Sequence, residues 1–156
     1  MYVLAMNEFA RSVPLDWTRS ADADGDSDVE QFTVPDALWS QRGGRHYLAF
    51  TDPSGPTARL VLRVDPDAVT VVRSGDVAWR HSFLVGESRQ SVLALGPQSV
   101  EVDIATYRVD VEVGHDGGRV EVDYHMHLQN LHQKVLLRLR FGTEAAGDGP
   151  ARGGGS

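Results

Sequence analysis

Cysteine is absent from the 156 residues. Its absence excludes disulfide scaffolds, zinc ribbons, thiol nucleophiles and iron–sulfur centres. Positive charge is scarce: 15 bases face 22 acids, the net charge is −7, and Lys134 is the single lysine. A chain of that sign repels a polyphosphate backbone, so nucleic acid is not an expected partner. No stretch approaches the roughly 18 apolar residues that span a bilayer as a helix. The start, Met1-Tyr2-Val3-Leu4-Ala5-Met6-Asn7-Glu8, lacks the basic and apolar regions of a secretory signal. A cytoplasmic protein with no membrane partner is expected. There is no Gly-x-Ser-x-Gly elbow, no His-Glu-x-x-His and no Gly-x-x-x-x-Gly-Lys. No catalytic residue and no cofactor is therefore expected.

What is present is valine. It occurs 20 times against one isoleucine, Ile104, and β-branched side chains suit a pleated, half-buried surface. The 41% apolar and 24% charged shares are those of a globular domain. At this length one fold buries about 70% of its unfolded surface. Residues 1–141 are expected to form one domain and residues 142–156, rich in Gly, a flexible tail.

No segment keeps a 3.6-residue period; at most one helical turn fits near 35–41. Strands are expected over 29–34, 45–51, 58–64, 68–73, 77–85, 89–95 and 99–106, with a poorly alternating first strand in 3–12. Asp22, Asp24, Asp26 and Asp28 mark 20–28 as an acidic loop. The last third alternates cleanly. Val100, Val102 and Ile104 share one face, as do Val109, Val111 and Val113, and the parity flip between Thr106 and Val109 predicts a bulge. Val120, Val122, Tyr124, Met126 and Leu128 oppose Glu121, Asp123, His125 and His127. Val135, Leu137, Leu139 and Phe141 oppose Arg138 and Arg140. One dry and one wet face mark antiparallel β structure.

Charge suggests a register for the final hairpin. With Asn130-Leu131 as its loop, Asp123 meets Arg138, Glu121 meets Arg140, Tyr124 faces Leu137 and His127 faces Lys134. About ten short strands make a meander, and closure removes its two edges. The expected fold is all-β: a single antiparallel meander closed into a barrel of about 8–10 strands, with a two-sheet sandwich second.

The run Val69-Thr70-Val71-Val72-Arg73-Ser74-Gly75, followed by Phe83, Thr106, the segment Tyr124 to Leu128 and the segment Val135 to Phe141, resembles the YwiB-like family of small bacterial calycin-type β-barrels. The likeness spans about residues 29–141 and is best over 69–141. It departs at Leu93-Ala94-Leu95-Gly96-Pro97-Gln98, where the family carries a Tyr-x-Thr-Pro-x-Gly-like turn. The resemblance implies a lipocalin-like barrel with an inferred ligand-binding role.

Two patterns invite metal. Asp22-x-Asp24-x-Asp26 fails as a calcium loop, because Ser27 and Thr33 stand where Gly and Glu are needed. His125-x-His127 puts two imidazoles on one strand face, with His132 near the turn. In the register above, however, His127 faces the Lys134 ammonium, so both patterns read as solvated surface and no metal is expected. Polarity on the dry face is more informative. Trp79, His81 and Phe83 share a parity, Arg73 joins them if the loop after it is the three residues Ser74-Gly75-Asp76, and Tyr124 and Tyr47 complete the group. These are the expected ligand-binding residues: Trp79 as a stacking wall, Arg73 as an anion anchor, His81 and Tyr124 as hydrogen-bond partners. The first expectation is a non-enzymatic module holding a small apolar or amphipathic molecule. The second is a filled barrel that associates with a copy of itself through Leu136 and residues near Trp17 and Trp39.

Overall fold

The computed structural model describes residues 8–53 and 58–146. Ten strands follow one another: β1 (Phe9–Ala23), β2 (Asp26–Arg42), β3 (Arg45–Thr51), β4 (Arg59–Asp65), β5 (Ala68–Ser74), β6 (Val77–Leu84), β7 (Ser88–Leu95), β8 (Gln98–Val113), β9 (Gly117–Leu128) and β10 (Leu131–Gly142). Each pairs antiparallel with the next, and β1 pairs with β10 to close the barrel. A single helical turn, α1 (Thr143–Ala146), follows β10. The closed antiparallel meander expected from the valine alternation is the fold. No described helix is long and apolar enough to cross a membrane.

Inward residues form one apolar cluster that runs through Leu15, Trp39, Leu48, Leu62, Val69, Ile104, Val122 and Leu139. Trp17 and Trp39 belong to it, at 6% and 0% exposure. They lie on the inner parity of β1 and β2, and their indole N–H groups donate to Glu30 (3.1 Å) and His46 (3.0 Å). The two indoles therefore do not themselves face outward; of their neighbours, Leu38 beside Trp39 is 44% exposed, and Leu136 is half-buried.

Local expectations are corrected in three places. Residues 20–28 are not a loop but the β1–β2 hairpin, turned by Asp24 and Gly25 alone. Both take positive φ, +50° and +86°, as a tight Asp-Gly hairpin requires. Residues 35–41 are strand, not a helical turn. Between the pairs Val13–Ala37 and Leu15–Val34, Pro14 opposes Pro35 and Asp36. Prolines have no N–H for a ladder, and a bulge is where a sheet tolerates them. The final hairpin turns at Gln129-Asn130, not Asn130-Leu131, so its register moves by two: Leu128 pairs with Leu131, His127 with His132, Tyr124 with Val135 and Glu121 with Arg138. Gln129 takes φ +55° in this two-residue turn. Asp123 has a different partner, Arg108 of β8, at 2.8 Å.

The predicted bulge is at Tyr107. Thr106 pairs with Tyr124 and Arg108 with Asp123, leaving Tyr107 unpaired and 59% exposed. It lies within one continuous strand, β8.

Candidate functional site

Arg73 pairs with Trp79 across the β5–β6 turn. Five residues, 74–78, separate this pair and not the three expected, and the odd number still puts both on the inner face. From there a file of rings runs inward. Trp79 stacks on His81 (5.9 Å between centroids, 12° between planes), His81 meets Phe83 edge-on at 4.7 Å, and Phe83 meets Tyr124 at 4.7 Å. Three of the residues expected from sequence, Trp79, His81 and Tyr124, are therefore brought together, with Phe83 as the link. Alternation along β6 and β9 places them.

His81 is 5% exposed, and no described residue hydrogen-bonds its ring. Burial, with the nearby Arg89 charge second, lowers its pKa from 6.5 to about 4. The imidazole is neutral at physiological pH, with one ring N–H to donate and one nitrogen to accept. Tyr124 is 2% exposed. Burial raises its hydroxyl pKa, against the opposing Arg19 guanidinium beside it. Glu30 stands opposite Arg19 in the β1–β2 ladder, so that cation already faces a carboxylate.

Arg73 is not a free anion anchor. It donates to Asp52 at 3.3 Å and lies 3.9 Å from Asp76. Asp52 is 4% exposed, and its amide donates to the Ala58 carbonyl at 3.0 Å, closing the loop between β3 and β4. The ion pair ties two turns at this end of the barrel. Tyr47 does not join the inner group. It alternates with Leu48 and Phe50, which are buried, and so faces outward, with Arg42 5.3 Å over its ring.

The wall beside the ring file is discontinuous. The β6–β7 ladder runs for three pairs only, Val77–Leu95, Ala78–Ala94 and Trp79–Leu93. Past them Ser91, 5% exposed, stitches the strands by side chain. Its hydroxyl accepts from the Trp79 indole at 2.7 Å and donates to the Arg80 carbonyl at 3.2 Å. The turn after β6 leans on β8 instead: the Gly86 amide donates to the Thr106 carbonyl and the Thr106 amide to that of Glu87. Sequence reasoning passed over Ser91. Its signal was a hydroxyl on the parity of Leu93, where an apolar residue belongs.

Clefts among the described residues include one of about 410 Å³ on the outer wall, lined by the outward-facing Asp22, Tyr107, Asp123, His125 and Lys134. A smaller one of about 170 Å³ lies under the β6–β7 turn, between Val85 and Tyr107.

The family model described as a domain of unknown function, DUF1934, matches residues 17–136. The crystal structure of the ywiB protein from Bacillus subtilis superposes with a TM-score of 0.74 at 19% identity, covering 85% of this chain and 93% of that one. At that identity the likeness is one of fold, and it agrees with the resemblance carried by Val69 to Gly75 and the two last strands. No curated protein matches the chain.

Proposed function

The chain belongs to the DUF1934 family, and we propose that it is a non-enzymatic binding module for a small apolar or amphipathic molecule, received where β6 and β7 part. The observation that carries this is His81. Leaving a buried polar group unpaired costs about 1–3 kcal/mol, and buried polar groups that lack a protein partner are commonly those that meet a ligand or water. Trp79 and Phe83 flank the imidazole as apolar walls, and Tyr124 ends the file. Two cations around it are ion-paired, Arg73 with Asp52 and Arg89 with Glu87, and Arg19 hydrogen-bonds Tyr124 and stands opposite Glu30 in the β1–β2 ladder. The favoured guest is therefore uncharged, with one group able to hydrogen-bond the neutral imidazole. Arg73 closes the barrel end in this scheme instead of holding an anion. The calycin-type resemblance implies the same role.

Native mass spectrometry of gently purified protein tests it. A small-molecule adduct released on denaturation is the expected result. A bare dimer would favour self-association instead. Binding of a neutral fluorescent amphipath such as N-phenylnaphthylamine should be lost in Trp79→Ala. Wild-type protein that takes up no such probe and carries no adduct overturns the proposal.

A further inference from the structure

The corrected hairpin register brings together side chains that the composition leaves scattered. Outward-facing residues of β9 include His125 and His127, two apart and on one face. His127 pairs with His132 of β10 on one side and with Asp103 of β8 on the other. Asp103, His127 and His132 thus form one lateral row across three strands, and neighbouring strands lie only about 4.8 Å apart. His125 completes the group from the next row. Its Nδ1 lies 3.3 Å from His132 Nε2, and the His127 and His132 rings stack at 4.0 Å.

We propose that these four side chains form a zinc site on the outer wall, with His125, His127 and His132 as nitrogen ligands and Asp103 as the carboxylate. Two nitrogens bound at about 2.0–2.1 Å to a tetrahedral ion stand about 3.3–3.4 Å apart. The His125–His132 pair, joined in this structure by a hydrogen bond, already has that separation, and the ion would take the place of the proton between the two nitrogens. As the side chains stand, no three such groups converge on one point. His127 must leave its stack on His132 and turn toward the pair. It is an exposed side chain, so its rotamers are accessible. Asp103 is exposed and makes no ion pair with any described residue, whereas Asp123 is held by Arg108. Three imidazoles and one carboxylate suit a borderline divalent ion, not calcium or magnesium, which take oxygen ligands. Lys134 pairs with His125 across the hairpin, and its ammonium opposes a cation there. The bound ion would clip the β9–β10 turn to β8.

Isothermal titration of the full chain with zinc chloride tests this. One equivalent should bind with a dissociation constant of about micromolar or tighter, and cobalt should give the visible absorption of a tetrahedral site. Loss of even an outer partner of a metal ligand costs about 10–100-fold in affinity. His125→Gln, His127→Gln, His132→Gln and Asp103→Asn should each therefore weaken binding by at least about tenfold. Lys134→Ala should tighten it, and His115→Gln, elsewhere on the chain, should change nothing. All these positions are solvent-facing, so circular dichroism should be unaltered. No zinc bound by wild-type protein, or equal losses in His115→Gln and His127→Gln, overturns the proposal. Retention of zinc by Trp79→Ala separates this site from the ring file.

Discussion

A histidine that is buried and neutral leaves a mark on stability that an exposed one does not. His81 titrates near 4 in the folded chain and near 6.5 when unfolded. Below 6.5 the unfolded chain takes the proton first. The stability due to the neutral ring is thus complete above 6.5 and drains as the pH falls through 4. The slope from one such group is at most about 1.4 kcal/mol per pH unit. His46 is lowered by burial too, so the wild-type curve alone does not isolate His81. The difference between wild type and His81→Gln does. Urea unfolding between pH 7 and 4 should show wild type losing stability faster than the variant. Parallel curves would mean the ring is hydrated or partnered, and the case for it as the waiting half of a hydrogen bond would fail. Arg73 teaches the converse. Its inward parity was legible only on a condition of loop length, its partner Asp52 sits in a turn cluster that reads as solvated, and a partly buried ion pair between two turns has no local signature.

At the scale of strands and turns, what was legible was whatever alternation alone determines. The faces of β8, β9 and β10 followed from Val102, Val122 and Leu139, and the Tyr107 bulge from a break in parity. Register is not set by parity, because a shift of two preserves every face. Charge pairing favoured the wrong one of two such registers, since Arg108 on a third strand competes for Asp123 and Glu121. That error also hid the histidine row, because it set His127 opposite Lys134 and not opposite His132. The acidic hairpin was missed for a related reason: aspartate disfavours strands on average, yet an exposed two-stranded extension with an Asp-Gly turn accommodates it. The true register makes its own prediction. It sets Gly118 opposite Phe141, and a Cβ there would come 2.8 Å from the Phe141 ring and 2.6 Å from the Glu112 carbonyl. Phe141 is packed edge-on to Trp39 at 5.0 Å and has nowhere to go. Gly118→Ala should cost about 1–3 kcal/mol, read as a fall in melting temperature of roughly 2–4 °C per kcal/mol. An unchanged melting temperature would show that the hairpin is not paired this way.

The barrel as a whole is a set of local hairpins joined by one distant seam. Tight turns link β4 to β5 and β5 to β6, so Val69 meets Val64 and Phe83 after short loop closures. The seam is different: Leu15 meets Phe141, near the two ends of the described chain. Closing a long loop loses more chain entropy than closing a short one, and that cost precedes the contacts that offset it. The seam should therefore form late. Leu15 and Val69 are both fully buried, so truncating either destabilises, Leu15→Ala by about 2–5 kcal/mol. The kinetics should separate them. A residue whose contacts are absent from the transition state affects unfolding, and one whose contacts are present affects folding. In stopped-flow chevrons Leu15→Ala should speed unfolding and leave the folding arm nearly in place, while Val69→Ala should slow folding. If Leu15→Ala instead slowed folding by its full loss of stability, the seam would already be closed at the barrier. The meander would then have to find its ends before its hairpins were complete, against the expectation from chain entropy.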